Sequence, residues 1–367
     1  MSPRRILPPE PPSRTVRKGR GAAANPEGRF EPYTREAEDD GWGALDEPTG
    51  AVRTTVAVDT ARSIISRNES PDIPFDQSIN PYRGCEHGCV YCYARPTHAY
   101  VGLSAGVDFE TRLFAKPEAA ALLRQELRSP AYKPNPIALG TNTDPYQPLE
   151  QRYRITRSVL EVLAACEHPV TIVTKSARVE RDLDLLVPMA SKNLVQVYVS
   201  VTTLDHDLAR RLEPRASAPS RRIEAIRRLS GAGIPVGVMA APVIPMLTDA
   251  ELESILEAAH AAGACSAGYV LLRLPYEVKD LFRQWLAVHA PLSAQHVMAR
   301  VHDVRGGRDN DARFGTRMRG QGIYAELIRN RFGLACRRLG LEYRNRAQLD
   351  SSRFRPPSQT GDQLGLL

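Results

Sequence analysis

Residues 80–93 read Asn80-Pro81-Tyr82-Arg83-Gly84-Cys85-Glu86-His87-Gly88-Cys89-Val90-Tyr91-Cys92-Tyr93, and the spacing of the three cysteines decides how the chain is read. Half of the six cysteines of the chain fall in this short run; Cys166, Cys265 and Cys336 stand alone. A long chain this poor in cysteine is not a disulfide scaffold, so clustered thiols point to metal or redox chemistry. Thiolates are soft ligands that suit zinc or iron–sulfur centres. A C-x3-C-x2-C loop places three of them on one face of a cuboidal cluster and leaves its fourth metal corner open to a small molecule. No nearby fourth cysteine completes a local four-thiolate set. Gly84 and Gly88 let the chain fold closely around such a centre, because glycine accepts backbone angles that other residues avoid. A structural zinc with His87 or a distant cysteine as fourth ligand stays open as the alternative, although the paired C-x2-4-C spacing usual for zinc is missing.

Outward from the cysteine run, β-branched runs alternate with amphipathic stretches. Strands are expected at Gln77–Tyr82, Ile137–Thr141, Val170–Thr174, Val195–Thr202, Pro235–Ala241 and Gly268–Arg273. Helices are expected near Tyr93–Gly102, Ile155–Cys166, Glu180–Ala190, Arg221–Gly231, Asp249–Ala262 and Val278–His289. The fold class is therefore α/β, with the apolar strands parallel and buried on both faces. Six such units predict a partial (β/α)6 barrel with its chemistry at the C-terminal strand ends. An open doubly wound sheet competes, but no Gly-x-Gly-x-x-Gly follows the first strand. The expected organisation is an N-terminal arm over 1–72, partly disordered, a core barrel over 73–290 and an Arg-rich extension over 291–367. In the arm, Phe30, Tyr33 and Trp42 are expected to dock on the body, since large aromatics seek burial.

The C-x3-C-x2-C run, with Tyr91 just before its last cysteine and a β/α repeat behind it, resembles the radical SAM superfamily. That resemblance implies a [4Fe-4S] cluster on Cys85, Cys89 and Cys92. It further implies that S-adenosylmethionine chelates the fourth iron and is reductively cleaved to a 5′-deoxyadenosyl radical. Thr143-Asp144-Pro145-Tyr146-Gln147-Pro148-Leu149-Glu150, Thr174-Lys175-Ser176, Ser200-Val201-Thr202, Leu212-Glu213-Pro214-Arg215 and Pro242-Val243-Ile244-Pro245 are similar to the branch related to spore photoproduct lyase. Lys18-Gly19-Arg20-Gly21-Ala22, Asn25-Pro26 and Arg29-Phe30 resemble one bacterial subgroup of that superfamily. Carried over residue by residue, Tyr91 and Tyr93 lie against adenine. Lys175 and Ser200 approach the carboxylate of S-adenosylmethionine, where a cation and a hydroxyl both donate. Thr143 and Asp144 contact its amino group or ribose. Glu213 is expected to pair with an arginine, and Glu150 either to do so or to bind ribose. A reductant protein such as a flavodoxin or ferredoxin is the implied partner. The lyase uses a barrel cysteine as hydrogen donor; here Cys166, Cys265 and Cys336 read as buried structural thiols, so thymine-dimer repair does not carry over.

Composition sets the remaining bounds. The 367 residues are 42% hydrophobic and 25% charged, an ordinary globular mixture that excludes a fibrous or wholly disordered chain. No apolar run is long enough to span a bilayer, and the N-terminus lacks the apolar core of a signal peptide, so a cytoplasmic location is expected. The net charge of +7 concentrates between Arg300 and Arg355, where fourteen arginines face six acids and no lysine occurs. Such a segment suits nucleic acid through its phosphates. Its Arg313-Phe314-Gly315-Thr316-Arg317 stretch reads either as a phosphate-binding loop or as a lid over the open side of the barrel, with arginines paired to acids.

Overall fold

The computed structural model describes residues 19–30, 52–343 and 349–358. Ten strands occur among them: β1 Thr55–Val58, β2 Ile65–Arg67, β3 Gln77–Ile79, β4 Tyr82–Arg83, β5 Arg112–Ala115, β6 Ile137–Leu139, β7 Val170–Thr174, β8 Val195–Ser200, β9 Val236–Val243 and β10 Ser266–Leu271. The main sheet has the order β10-β9-β8-β7-β6-β3-β2. Every pairing from β3 to β10 is parallel, and only the edge strand β2 runs antiparallel. Each parallel strand lies beside the next one in the chain, so the sheet winds in one direction. A doubly wound sheet reverses at a switch point; this one does not. Because β10 and β2 remain unpaired with each other, the barrel is open.

All six expected barrel strands are present, because continuous apolar runs such as Val195–Ser200 can be satisfied only by burial on both faces. The helices that return the chain cover the outside. Helix Ile155–Ala165 turns Ile155, Val159, Leu160, Val162 and Leu163 to the core, the spacing of one helical face. Helix Pro219–Gly231 begins with proline in its first turn, where the missing N–H costs nothing. A smaller sheet, β1-β5-β4, was not foreseen; β4 has only two residues, too short for any periodicity.

The described parts of the expected arm and of the C-terminal extension belong to this body. Within the expected arm, β1 joins the small sheet and β2 the main one. Phe30 remains 60% exposed, beside the ring of Tyr100 and the Arg29 guanidinium, so burial of Phe30 is not what docks the segment 19–30; Tyr33 and Trp42 lie outside the described residues. The C-terminal extension works along the open edge. Leu271 N–H donates to Met318 O, and Ala267 N–H to Glu342 O, at the free side of β10. Arg317 then spans to Asp72, beyond β2, with hydrogen bonds of 2.8 and 2.5 Å. The 310–320 loop is thus a bridge across the gap, as the lid reading expected. Arg305 stitches it down: this buried guanidinium donates to the carbonyls of Leu271, Leu272, Thr316 and Arg317. Farther on, Asp350 and Arg355 donate backbone N–H groups to Asn193 and Cys166 at the N-terminal ends of the strands.

Candidate active site

A cavity of about 1500 Å³ fills the interior and opens along the gap. Cys85, Cys89 and Cys92 line it, together with Tyr91, Tyr93, Thr143, Asp144, Lys175 and Ser200. The nine residues expected to hold the cluster or S-adenosylmethionine therefore border one space. They converge because Thr143 and Asp144 follow β6, Lys175 follows β7 and Ser200 ends β8, all at the C-terminal edge.

The cysteine loop is held by backbone at almost every step. Gly84 and Gly88 have φ of 73° and 68°, so both turns need the left-handed region that glycine alone enters freely. Cys85 N–H donates to Phe109 O, Glu86 N–H to the Gln147 side chain, and Val90 N–H to Leu212 O. Burial pushes all three thiols upward; at Cys89 the Glu213 carboxylate adds to this, while Lys175 opposes it. Thiols of this kind stay protonated until a metal takes the proton's place. Among the described residues no three His, Cys, Asp or Glu side chains converge on a single-ion site. A cuboidal cluster does not require that convergence, since each thiolate takes a separate iron corner. The three sulfurs on one tight loop, facing the cavity, fit such a cluster.

Beside the loop sits a buried charge cluster. Lys175 Nζ donates to Ser200 Oγ at 2.7 Å, Ala241 O at 2.8 Å and Thr202 Oγ1 at 3.1 Å, and lies 3.3 Å from Glu213 Oε1. The other oxygen of Glu213 is taken by Arg222, and Tyr91 donates its hydroxyl to Oε1. Burial opposes ionisation of Glu213, but Arg222 and Lys175 outweigh it and hold the carboxyl well below its usual range. Two cations share one carboxylate, which leaves a single positive charge at Lys175 and Ser200. That surplus is suited to an incoming carboxylate.

Asp144 is likewise engaged. Its oxygens accept from Tyr146 N at 2.8 Å, Thr174 Oγ1 at 2.7 Å and Lys175 N at 2.7 Å, and face His87 Nδ1 at 3.4 Å. Burial pushes its carboxyl up, but His87 and these donors bring it below the ordinary carboxylate value. It joins the β6 loop, the end of β7 and the cysteine loop. Thr143 is buried and donates to Tyr82 O at 3.3 Å. Tyr93 donates its hydroxyl to Thr141 O, with the Arg273 guanidinium 5.3 Å from its ring centre. Glu150 takes Arg181 at 2.9 Å and the Tyr82 hydroxyl, and Glu213 takes Arg222, so both are structural pairs.

Sequence reasoning missed Arg222, Arg95, Glu110 and Arg305, all buried; lone charged residues carry no periodic signal. Cys166 and Cys336 are buried as expected, whereas Cys265 is exposed, because it caps the N-terminal end of β10 where the sheet meets solvent. None of the three lines the cavity.

The far wall is cationic. Arg67, Arg273, Arg319, Arg329 and Arg337 line the cavity, and none has an ion pair among the described residues. Phe75, Tyr198, Tyr269, Phe332 and Tyr343 stand among them.

Comparison with known proteins agrees with this geometry. The model of the radical SAM superfamily matches residues 79–259. An uncharacterised protein of Mycobacterium tuberculosis is 41% identical over 217 residues, which are 59% of this chain and 64% of that protein. One of Methanocaldococcus jannaschii is 27% identical over 173 residues, 47% of this chain and 62% of that protein. The chain thus spans less than two thirds of the length of these curated relatives. Among solved structures, a spore photoproduct lyase complexed with dinucleoside spore photoproduct aligns with a TM-score of 0.55 at 15% identity, covering 79% of this chain and 81% of the other. A variant of that lyase with bound AdoMet and the same ligand gives 0.56 at 15% identity over the same shares of the two chains. This likeness is one of fold. From the end of the first barrel strand into the helix after the fifth, residues 79–259 match the radical SAM superfamily.

Proposed function

We propose that the chain is a radical SAM enzyme acting on a phosphate-bearing substrate, nucleic acid foremost. The observation that carries the reading is the meeting of three cysteine thiols with the singly positive Lys175–Ser200 corner on one cavity wall. When bound, a [4Fe-4S] cluster and S-adenosylmethionine supply reductive sulfonium cleavage and a 5′-deoxyadenosyl radical.

The residues of the chain do the rest. Cys85, Cys89 and Cys92 hold three irons. Lys175 Nζ and Ser200 Oγ donate to the carboxylate of S-adenosylmethionine, with Glu213 and Arg222 fixing the ammonium in place. Tyr91 and Tyr93 border adenine. Thr143 sits beside the amino group and ribose, and Asp144 fixes the turn that carries it. The bridge from Met318 to Asp72 limits solvent entry, which matters for a radical that reacts with whatever it meets. An electron must come from outside, so a flavodoxin or ferredoxin is the partner, and the cytoplasm is where such donors and reduced thiols coexist. No described helix is long and apolar enough to cross a membrane.

The unpaired arginines and interleaved aromatics support the substrate class, since guanidinium groups take phosphate oxygens and rings stack on bases. A competing reading, a nucleic-acid-binding protein whose metal centre is only structural, draws on the same wall. Anaerobic reconstitution separates the two. The enzyme takes up about four irons and four sulfides per chain, the content of one cubane, and releases 5′-deoxyadenosine only when S-adenosylmethionine and a strong reductant are both present. Cys85→Ala, Cys89→Ala or Cys92→Ala abolishes that release. A loaded cluster with no cleavage would reject the enzyme in favour of the binding protein.

A further inference from the structure

The segment 19–29 has no place in the chemistry above, yet nearly every residue of its motif is committed. Gly21 N–H and Ala22 N–H donate to the two oxygens of Glu110 at 3.0 and 2.9 Å. Glu110 is fully buried and also takes Arg95 at 2.5 Å. Arg95, itself fully buried, spends its other donors on the carbonyls of Gly88 and Cys89, at 3.2 and 2.9 Å, and on Ala105 and Gly106. A continuous path therefore runs from the backbone of the arm through one carboxylate and one guanidinium to the second turn of the cysteine loop.

The fit is close. A Cβ at Gly21 would come within 1.8 Å of Gly88 O, so only glycine lets the two strands of chain lie against each other. Arg20 reaches past this contact to Glu110 O at 3.0 Å, Val52 O at 2.9 Å and Thr54 Oγ1 at 3.2 Å. Thr54 passes the link to Glu86, inside the loop, at 2.8 Å. Farther along, the Asn25 side chain exchanges two hydrogen bonds with Asp108, and Arg29 bonds Pro96 O and pairs with Glu277 at 2.8 Å.

We infer that residues 19–29 form a strap that holds the cysteine loop in its cluster-accepting shape, with Glu110 and Arg95 as positioning residues for the Gly88–Cys89 turn. A loop whose carbonyls are tied from behind keeps its thiols facing the cavity before any iron arrives. The strap also covers the back of the loop against water. Glu110 adds a negative charge on the side of the loop away from the cavity; removing it leaves the Arg95 charge unbalanced and makes reduction of a bound cluster easier.

Hydrogen exchange on the cluster-free full chain tests this apart from any catalytic reading. Gly21→Ala and Arg20→Ala leave the Arg95–Glu110 pair intact. Each should raise exchange at amides 84–92 about tenfold, the factor expected for loss of one buried hydrogen bond, with the amides of β7 and β8 unchanged. Alkylation of Cys85 and Cys89 should quicken in parallel. After reconstitution, Glu110→Gln should shift the reduction potential of the cluster upward, and Glu110→Asp should restore it in part. If amides 21 and 22 open while 84–92 keep their protection, the strap is only a covering. If Gly21→Ala leaves amides 21 and 22 protected, the close approach to Gly88 is wrong. Either result overturns the inference; a cluster that fails to cleave S-adenosylmethionine does not touch it.

Discussion

Cations stand at both ends of the cavity, on its wall or just behind it, but they are treated in opposite ways. At the cysteine end Lys175, Arg222 and Arg95 are buried or nearly so, and each meets a carboxylate, Glu213 or Glu110. Along the open side Arg319, Arg329 and Arg337 are exposed and meet none among the described residues. A buried charge must be compensated by the protein itself, so its position is fixed by its partner. An exposed arginine keeps its charge for whatever enters. The first end is built to hold geometry, the second to attract.

The sharpest way to break this contrast is to remove the shared carboxylate. Glu213→Gln leaves Arg222 and Lys175 buried without their anion, which should cost about 3–5 kcal/mol of stability, the usual penalty for half of a buried pair. Urea unfolding of the cluster-free protein at pH 7 measures it. Because the folded-state value of Glu213 is depressed, its contribution is complete above the ordinary carboxylate range and is lost only as pH falls toward that far lower value. Mild acid therefore does not mimic the substitution. A loss below about 1 kcal/mol, the scale of an exposed pair, would mean that the cluster is wetter than its burial implies.

The base of the barrel supplies a control in which a titratable ring is buried with no opposite charge at all. His168 lies between Tyr132 and Phe354, its Nδ1 at 2.9 Å from Pro169 O. Burial lowers its pKa to about 4, against a weaker upward pull from Pro169. Above pH 6.5 both folded and unfolded chains carry the neutral ring and the stabilisation is whole. As pH falls from 6.5 toward 4 the unfolded chain takes a proton that the folded chain refuses. Stability then declines by up to about 3 kcal/mol and levels off below. His168→Gln should flatten this limb of the urea midpoint between pH 7 and pH 4.5; an unchanged slope would place the titration elsewhere.

These two regions were unequally legible in the sequence. The cysteine loop and all six barrel strands could be read, because ligand spacing and continuous apolar runs are local patterns. So could the convergence of Lys175 and Ser200, which follows from strand ends lying at one rim. Glu110 could not: nothing near Asp108-Phe109-Glu110 marks it as the partner of Arg95 and of the amides of Gly21 and Ala22, some ninety residues away. Nor could the division of the arginines. Arg305, Arg313 and Arg317 look like Arg319 and Arg329 in sequence, yet the first is buried on carbonyls and the next two are paired with Asp311 and Asp72. Charge counting sees only the total; which guanidinium is free depends on tertiary neighbours.

That division yields the smallest effect on stability and the most direct test of the open side. Replacing Arg319, Arg329 and Arg337 together with glutamine should change stability by less than about 0.5 kcal/mol per site, as for exposed groups that make no ion pair. Binding of a single-stranded oligodeoxynucleotide should weaken at low salt. The slope of log affinity against log salt should fall by about 2, since each phosphate contact on a single strand contributes about 0.7. Replacing Arg313 with glutamine instead should leave that slope alone, because Asp311 already occupies its guanidinium. If the triple variant unfolds while the slope persists, the wall arginines hold the fold rather than a ligand, and the two ends of the cavity are not different in kind.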